Sequence, residues 1–396
     1  MAYAKAAASL SAAAPNDNPL SCLELFAGAG GLALGLSRAG FVPQLVTDWD
    51  VRACATLRAN ADPPRSYTTN WPVRQQDVRR IKYADFDSID LLSAGAPCQP
   101  FSQAGLGLGH QDSRNMFSEV LRAVRQLRPR AFILENVRGL VFPRSRPYFD
   151  YLLAQLHSPS ITLGRYRTPE RHRQVLDAVA EAEREYRVDW KLLNAADFGL
   201  PQNRIRLVIV GFRIDQQDSF VWPEISHSRV ALLDALHGEE YWEHHQLPRR
   251  VRLATRQSIA KKPCPCVPRD NPNRWLTVRD LTKRLGPPGK QADDPWHMLV
   301  PGARLYAKHS GSPLDWPAKT VKAGVHSCPG GEHIVVDDSG KHRYLSVREC
   351  ASLQGFPEDY ALPEVRMHAM RQLGNAVPVN LAEAMGKQLA RTLTNG

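Results

Sequence analysis

A cysteine and a glutamate each follow an apolar run of the kind that forms a buried strand. Cys98 comes shortly after the run at 89–94, and Glu135 ends the run that begins at Ala131. The carboxyl ends of parallel strands meet at one edge of a sheet, which is where α/β enzymes place their sites. A thiol and a carboxyl group brought together there could act as nucleophile and acid.

Taken alone, Cys98 would more often be a buried small side chain than a nucleophile. Its surroundings favour chemistry, because Pro97 restricts the backbone before the thiol and the segment 101–112 holds three glycines. Such a segment suits a loop that closes over a substrate. The thiol itself would need activation by a helix N-terminus or a nearby cation.

A glycine-rich turn, FAGAGG at 26–31, lies between a strand-like run and a helical pattern. Glycine lets the backbone turn sharply and approach a ligand closely. Asp48 ends the next predicted strand, where a carboxylate can bind ribose hydroxyls, and Trp49 offers a flat face for adenine. The spacing is not the dinucleotide pattern GxGxxG, so a tight turn without a ligand stays open.

Two arginines, Arg204 and Arg206, open a further apolar strand. Side chains two positions apart on a strand point to the same face, and guanidinium groups offer planar donors to a phosphate or a base carbonyl. Glu135 stands at a strand tip rather than on a wet helix face. Its carboxyl group could therefore protonate or hydrogen-bond a heteroaromatic nitrogen.

Apolar runs alternate with helical patterns through the first half of the chain, as in repeated βαβ units. We predict strands at 22–26, 42–47, 89–94, 131–135, 190–194 and 207–212. We predict helices at 31–39, 53–59, 116–127 and 171–186. The apolar, β-branched strands favour an α/β fold with a mostly parallel sheet covered on both faces.

The composition then changes, and residues 214 to about 342 are richer in Pro, Trp, His and Arg with few helical patterns. A helical pattern at 380–393 resembles the first region again. We expect a flexible tail at 1–20, a catalytic domain made of 21–213 and 371–396, and a smaller irregular domain at 214–370.

The bulk composition limits the partners and the compartment. Lys and Arg number 51 against 40 Asp and Glu, a formal net charge of +11. This balance suits a polyanion, although an uncommitted basic surface would look the same. Seven cysteines without framework spacing favour free thiols in the cytoplasm. No window approaches the ~18 apolar residues that would indicate a membrane span.

Cys264 and Cys266 raise the question of zinc, with His297 or Cys328 as further ligands. Their spacing is CxC rather than paired CxxC. Loop cysteines without a metal are therefore the favoured interpretation.

In chain order, the motifs resemble those of the DNA (cytosine-5)-methyltransferases of bacterial restriction-modification type. The blocks are FAGAGG (26–31), the pair 48–49, Asp77, GAPCQPFS (95–102), ENV (135–137), QNRIR (202–206), 343–357 and QLGNAVP (372–378). The resemblance implies a Rossmann-like methyltransferase domain and a target-recognition domain that reads DNA, centred on 283–342. The segment 112–117 is one residue shorter than the family pattern, which leaves open whether Met116 or Phe117 lines the cofactor pocket.

The resemblance also implies S-adenosyl-L-methionine as methyl donor, S-adenosyl-L-homocysteine as product and no metal. It assigns cofactor binding to Phe26, Ala27, Gly28, Gly30, Gly31, Asp48, Trp49, Asp77, Val78, Pro97, Asn375 and Ala376. It assigns catalysis to Cys98, Glu135, Arg204 and Arg206. Cys98 would attack carbon 6 of a flipped cytosine, Glu135 would hold N3 and Arg206 would bind O2.

The implied partner is double-stranded DNA, bound by a monomer at the nucleoid in the bacterial cytoplasm, with a cognate restriction endonuclease acting separately. Three alternatives remain: a transfer-RNA cytosine methyltransferase, an inert DNA-binding relative and a nicotinamide oxidoreductase. The Cys-Phe-Thr signature of the RNA branch is missing from the sequence. Cys98, Glu135 and Arg206 together argue against an inert relative.

Overall fold

The computed structural model describes residues 19–61, 71–97, 116–166, 168–216, 220–253, 273–289, 294–307, 309–324 and 331–395. Several sequence predictions fall outside these residues. They are the first 18 residues of the predicted tail, the nucleophile Cys98, the loop 101–112, and the cysteines at 264, 266 and 328.

The main sheet has seven strands in the order β3-β2-β1-β4-β5-β7-β6. Their bounds are β1 Ser21–Leu25, β2 Val42–Asp48, β3 Val73–Gln75, β4 Leu91–Ala94, β5 Ala131–Val137, β6 Tyr186–Asn194 and β7 Ile205–Arg213. Strands β1 to β5 pair in parallel, whereas β7 pairs antiparallel with both β5 and β6. The prediction of a mostly parallel sheet is therefore confirmed.

Helices cover both faces of this sheet. Strands such as β4 are therefore buried on both sides. The helices are α1 Gly31–Arg38, α2 Val51–Ala61, α3 Phe117–Leu127, α4 Arg146–His157, α5 Pro169–Asp177, α6 Arg229–His237, α7 Glu240–His245, α8 Val278–Leu285, α9 Val347–Leu353, α10 Arg366–Asn375 and α11 Val379–Thr394. Within the described ranges, none is long and apolar enough to cross a membrane.

The helix predicted at 171–186 is wrong in its second half. Helix α5 ends at Asp177, a short 3-10 turn covers Glu181–Glu183, and β6 already begins at Tyr186. The Tyr186 ring packs against Phe132 of the sheet core, with ring centres 5.3 Å apart. Pairing along the whole of β7 outweighs the helical pattern of this segment.

Helix α4 was not predicted, although its buried residues Phe149, Leu152 and Leu156 follow a helical spacing. The C-terminal helix was predicted at 380–393 and is found one residue longer at each end, as α11. It packs along α1 on one face of the sheet, while α3 and α4 lie over the other face.

The segment after β7 contains two small sheets. One joins β8 (His227–Ser228) with β9 (Asn273–Arg274), and the other joins β10 (Ser312–Pro313), β11 (Ile334–Val336) and β12 (His342–Tyr344). One hydrophobic cluster unites Val278 and Val321 of this segment with Leu57 of α2 and Ala29 of the glycine turn. The predicted domain boundaries stay a prediction, and residue 370 lies inside α10.

The crossing of α1 and α11 depends on a residue without a side chain. A Cβ added at Gly35 would lie 2.6 Å from the Glu383 nitrogen and 2.7 Å from the Val379 oxygen. We expect Gly35→Ala to lower the free energy of unfolding by about 1–3 kcal/mol, because the two helices must move apart.

Urea unfolding of the purified protein measures this change. Gly164→Ala is the matched control, because an added Cβ there meets nothing within 4 Å. Equal stability of the two variants would contradict the close helix packing.

Candidate active site

A cavity of about 440 Å³ opens at the edge where strands β1 to β5 end. This volume lies within the ~300–1,000 Å³ that is usual for small-molecule sites. Most of the residues that the sequence assigned to cofactor or catalysis line it, namely Phe26, Ala27, Gly28, Asp48, Trp49, Asp77, Val78, Pro97, Glu135, Arg206, Asn375 and Ala376. Residues from both ends of the chain therefore share one cavity.

The floor of the cavity is the turn between β1 and α1. Phe26, Gly28 and Gly30 all have positive φ, at 59°, 57° and 82°. A positive φ is sterically costly for phenylalanine but not for glycine. The turn therefore holds a strained backbone conformation at Phe26, at the cavity wall. Gly30 and Gly31 do not line the cavity and instead shape the turn, with the carbonyl of Val377 packed where a Gly31 side chain would stand.

Asp48 holds this turn in place. Its carboxylate accepts hydrogen bonds from the backbone N–H groups of Gly28 and Asp50, each at 2.9 Å. Burial raises the pKa of Asp48 above its ordinary value, and these hydrogen bonds oppose the shift. The neighbouring Trp49 is 73% exposed, an unusual exposure for so large an apolar ring. Its face is free to receive a flat ligand.

Asp77 caps the 3-10 turn that follows β3 and accepts the Arg79 N–H. The Arg79 guanidinium also binds its carboxylate, with Nε 3.0 Å from Oδ1, and these hydrogen bonds lower the pKa of Asp77 to about 2. Asp77 thus presents a permanent negative charge at the cavity rim.

Glu135 and Arg206 form a buried pair on neighbouring strands. The Arg206 Nε lies 2.9 Å from the Glu135 Oε1, and both side chains are almost fully buried. Burial raises the pKa of Glu135, while the charges of Arg206 and Arg204 oppose that rise. The balance favours a carboxyl group that carries a proton more readily than an exposed glutamate.

Asn136 ties the end of β5 to the loop that leads to Cys98. Its side-chain amide donates to the Ala96 carbonyl at 3.1 Å. A Cβ at Gly95 would lie 3.8 Å from the Glu135 Oε2, so this loop passes directly beside the buried pair. Pro97 lines the cavity, and Cys98 follows it as the first residue outside the described range.

Arg204 lies apart from the cavity. It is fully buried, and its guanidinium donates to the carbonyls of Val321, Gly374 and Ala376 at 2.7–2.8 Å. Gln202, also fully buried, binds the Leu353 carbonyl and the Val321 N–H. These contacts fasten Val321, Leu353 and the last block to β7. They do not favour the catalytic role assigned to Arg204, which stays a prediction.

Sequence reasoning missed several residues that line the cavity, including Glu24, His368, Arg371 and Gln372. All three of His368, Arg371 and Gln372 stand on α10. His368 and Arg371 come just before the last block and Gln372 opens it, and this position was the only signal for them. Glu24 stands in β1 with 2% exposure, and burial raises its pKa to about 8. An acidic residue in an otherwise apolar strand was the available signal for it.

The structure also settles which residue lines the pocket after the shortened segment. Met116 lines the cavity, whereas Phe117 is 1% exposed and packs in the core.

The described residues contain one trio of potential metal ligands, His244, His245 and Asp280. Arg274 already binds both oxygens of Asp280, at 2.8 Å each, which places a competing positive charge there. His297, considered for zinc, faces the Ser346 hydroxyl and the Gly286 carbonyl.

The parallel sheet with a single reversed strand, and a cavity between its first turn and its C-terminal helices, define an α/β enzyme of the methyltransferase class. The model of the C-5 cytosine-specific DNA methylase family matches residues 20–160 and 163–391. The chain belongs to this family and is a DNA (cytosine-5-)-methyltransferase.

Individual relatives agree. The chain is 30% identical to the Type II methyltransferase M.NgoMIV of Neisseria gonorrhoeae over 94% of its own length and 97% of the relative. It is 32% identical to M.PspPI of a Psychrobacter strain, over 94% and 79%. The fold resembles that of the S. pombe Dnmt2 methyltransferase, with a TM-score of 0.57, 16% identity and coverage of 94% and 98%.

The buried Glu24 predicts a pH dependence of stability. Its pKa of about 8 in the folded protein exceeds the ordinary value of 4.5. Between these values the folded protein holds a proton that the unfolded chain has released, so stability falls as pH rises through this window. We expect Glu24→Gln to remove that slope. Unfolding free energies of both proteins at intervals from about pH 5 to about pH 8 test this, and parallel curves would contradict it.

Replacing each of the two arginines should cause a different defect, one in stability and the other in catalysis. Arg204→Met should lower the free energy of unfolding by about 3 kcal/mol, because three carbonyls lose a charged donor. Arg206→Met should lower it less, since Glu135 can then take up a proton. It should nevertheless slow methyl transfer about 100-fold.

Urea unfolding and transfer of a radiolabelled methyl group to DNA measure the two effects separately. If the Arg206 variant methylates as fast as the wild-type protein, the assignment of Arg206 to the site is wrong.

Proposed function

We propose that this enzyme uses S-adenosyl-L-methionine to methylate carbon 5 of one cytosine that it flips out of duplex DNA, through a covalent bond between Cys98 and carbon 6. The observation that carries the proposal is the single cavity that joins the glycine turn to the Glu135–Arg206 pair. A donor bound on one side of this cavity would stand next to a base bound on the other.

The residues present fit the proposed cofactor. The turn 26–31 offers backbone groups to an extended ligand, Asp48 offers a carboxylate near its ribose, and the exposed Trp49 offers a face to its adenine. Asp77 adds an acceptor for an exocyclic amine at the rim. When bound, S-adenosyl-L-methionine supplies a methyl group on a positively charged sulfur.

The chemistry requires activation of the base, because carbon 5 of cytosine is a weak nucleophile. Addition of the Cys98 thiolate to carbon 6 pushes an electron pair toward carbon 5, which then forms a bond to the methyl group. Glu135, holding a proton at N3, stabilises the charge that develops on the ring. The buried surroundings that raise the pKa of Glu135 favour this protonated form.

Arg206 has two tasks in this proposal. It orients the Glu135 carboxyl group, and its guanidinium, which lines the cavity, can donate to O2 of the base. After methyl transfer, a base removes the carbon-5 proton and Cys98 leaves as thiolate, which restores the aromatic ring. A methyl group has then replaced the carbon-5 proton: the electron pair of the broken C5–H bond restores the ring double bond, and the pair of the Cys98–carbon 6 bond leaves with the thiolate.

Base flipping is part of the proposal because the Cys98 thiol must reach the face of the cytosine ring. A cytosine stacked in a duplex exposes neither face to a thiol, so enzymes of this kind extrude the target at a cost of about a few kcal/mol. The formal net charge of +11 supports binding of the phosphate backbone. The Type II methyltransferases among the relatives support a sequence-specific enzyme that acts beside a separate restriction endonuclease.

A covalent trap tests the proposal. Duplex DNA of mixed sequence, carrying 5-fluorocytosine, is incubated with the enzyme and S-adenosyl-L-methionine. After methyl transfer the fluorine cannot leave as a proton would, so the enzyme should remain bonded to the DNA through Cys98. Denaturing electrophoresis should show the adduct, and peptide mass spectrometry should place it on Cys98.

Cys98→Ser is the matched control and should bind the same DNA without an adduct. Absence of the adduct from the wild-type protein, with cofactor binding demonstrated by calorimetry, would overturn the covalent mechanism. An adduct on RNA but not on DNA would overturn the substrate.

A further inference from the structure

A tyrosine far along the chain holds the cavity floor. The Tyr360 hydroxyl donates a hydrogen bond to the carbonyl of Ala29, which belongs to the glycine turn, at 2.7 Å. The two residues are 331 positions apart in sequence, and both are fully buried. A buried carbonyl that loses its donor is costly, so this bond constrains the turn.

Two side chains outside α1 hold the turn, since Tyr360 donates to a carbonyl of the turn and Glu24 accepts an N–H group from the first turn of the helix. Gly30, the N-cap of α1, has no side chain with which to bind the first turn of the helix. The Ala33 N–H is bound instead by the Glu24 carboxyl group. A Cβ at Gly30 would lie 2.9 Å from the Tyr360 oxygen, so the hydroxyl packs directly against the turn.

Arg348 fixes the position of Tyr360 from behind. Its guanidinium donates to the Tyr360 carbonyl at 3.0 Å and to the Asp294 carboxylate at 2.6 Å. It also lies over the Trp296 ring, 5.1 Å from the centre, and the Arg348 N–H donates to the Trp296 carbonyl. Asp294 and Trp296 belong to the region that the sequence predicts to read DNA.

A second contact anchors the same stretch. The Asn60 side chain of α2 donates to the Ala361 carbonyl at 3.0 Å and accepts the Ala361 N–H at 2.8 Å. Tyr360 is thus held on both sides, by α2 and by the Asp294–Arg348 pair. The stretch has little freedom to move without moving the turn.

We propose that Tyr360 is a positioning residue for the cofactor turn, and that Asp294, acting through Arg348, sets where Tyr360 stands. The inference rests on the proposed cofactor site. Tyr360 bonds the far side of the turn through Ala29 and acts on the ligand only through the backbone. The affinity for S-adenosyl-L-methionine therefore depends on a contact made inside the predicted DNA-reading region.

The test is the dissociation constant of S-adenosyl-L-homocysteine, measured by calorimetry on the full chain. Tyr360→Phe should weaken binding about 3- to 10-fold, the effect of one lost hydrogen bond. It should raise the KM for the cofactor by a similar factor and leave kcat at saturating cofactor unchanged. Tyr83→Phe is the matched control, because Tyr83 is also buried but its hydroxyl has no hydrogen-bond partner among the described residues.

A double-mutant cycle tests the link to Asp294. Asp294→Asn should weaken cofactor binding about 2- to 3-fold in the wild-type protein and have no further effect in the Tyr360→Phe protein. Asp338→Asn is the matched control. This variant removes the ion pair between Asp338 and Arg279, which does not contact the glycine turn. The Asp338 side chain is 32% exposed and the Asp294 side chain 31%, so the two substitutions are comparable.

The outcomes separate the two proposals. A wild-type protein that binds no cofactor would overturn the cofactor site and this inference with it. Wild-type affinity in Tyr360→Phe, or additive effects of the two variants, would overturn this inference alone. If Tyr360→Phe fails to fold, Asp294→Asn alone still tests the inference. An unchanged dissociation constant in Asp294→Asn would show that Asp294 does not act on the cofactor turn. A fall in kcat without a change in KM would also contradict a positioning role.

Discussion

The site depends on one constraint, the packing of the C-terminal segment against the turn that follows the first strand. Where Gly31 lacks a side chain the Val377 carbonyl fills the space, and the buried Arg204 binds the carbonyls on either side of Asn375. Without this return of the chain, Asn375 and Ala376 would not meet Phe26 and Asp48 across one cavity. The glycine turn and the last block are therefore a single structural unit.

The same packing places three carboxyl groups around one cavity. The cavity gathers Glu24, Asp48 and Glu135, and burial raises the pKa of all three. Their environments differ, because Arg206 pairs with Glu135, backbone N–H groups bind Asp48, and Glu24 is bound by Ser93 and the Ala33 N–H. Neighbouring carboxyl groups with different partners can take different roles, one as an acid and one as a fixed acceptor.

Much of the fold and of the candidate site was predictable from the sequence. The parallel strands, the glycine turn and the positions of Glu135 and Arg206 follow from local patterns, since apolar runs and turns are set by near neighbours. Arg204 looked like its partner on the strand, yet its role depends on carbonyls more than 100 residues away. Tyr360 escaped notice for the same reason, whereas Glu24 carried a local signal, an acidic residue in an apolar strand, that the prediction did not use. The helix predicted to reach Tyr186 yielded to long-range strand pairing.

The central claim is that the two ends of the chain bind one ligand together. Hydrogen–deuterium exchange, measured with and without S-adenosyl-L-homocysteine, tests it directly. The account predicts simultaneous protection of peptides that contain residues 26–31, 48–50 and 374–377. Protection at one end of the chain only, or at none of these segments while the ligand is bound, would contradict it.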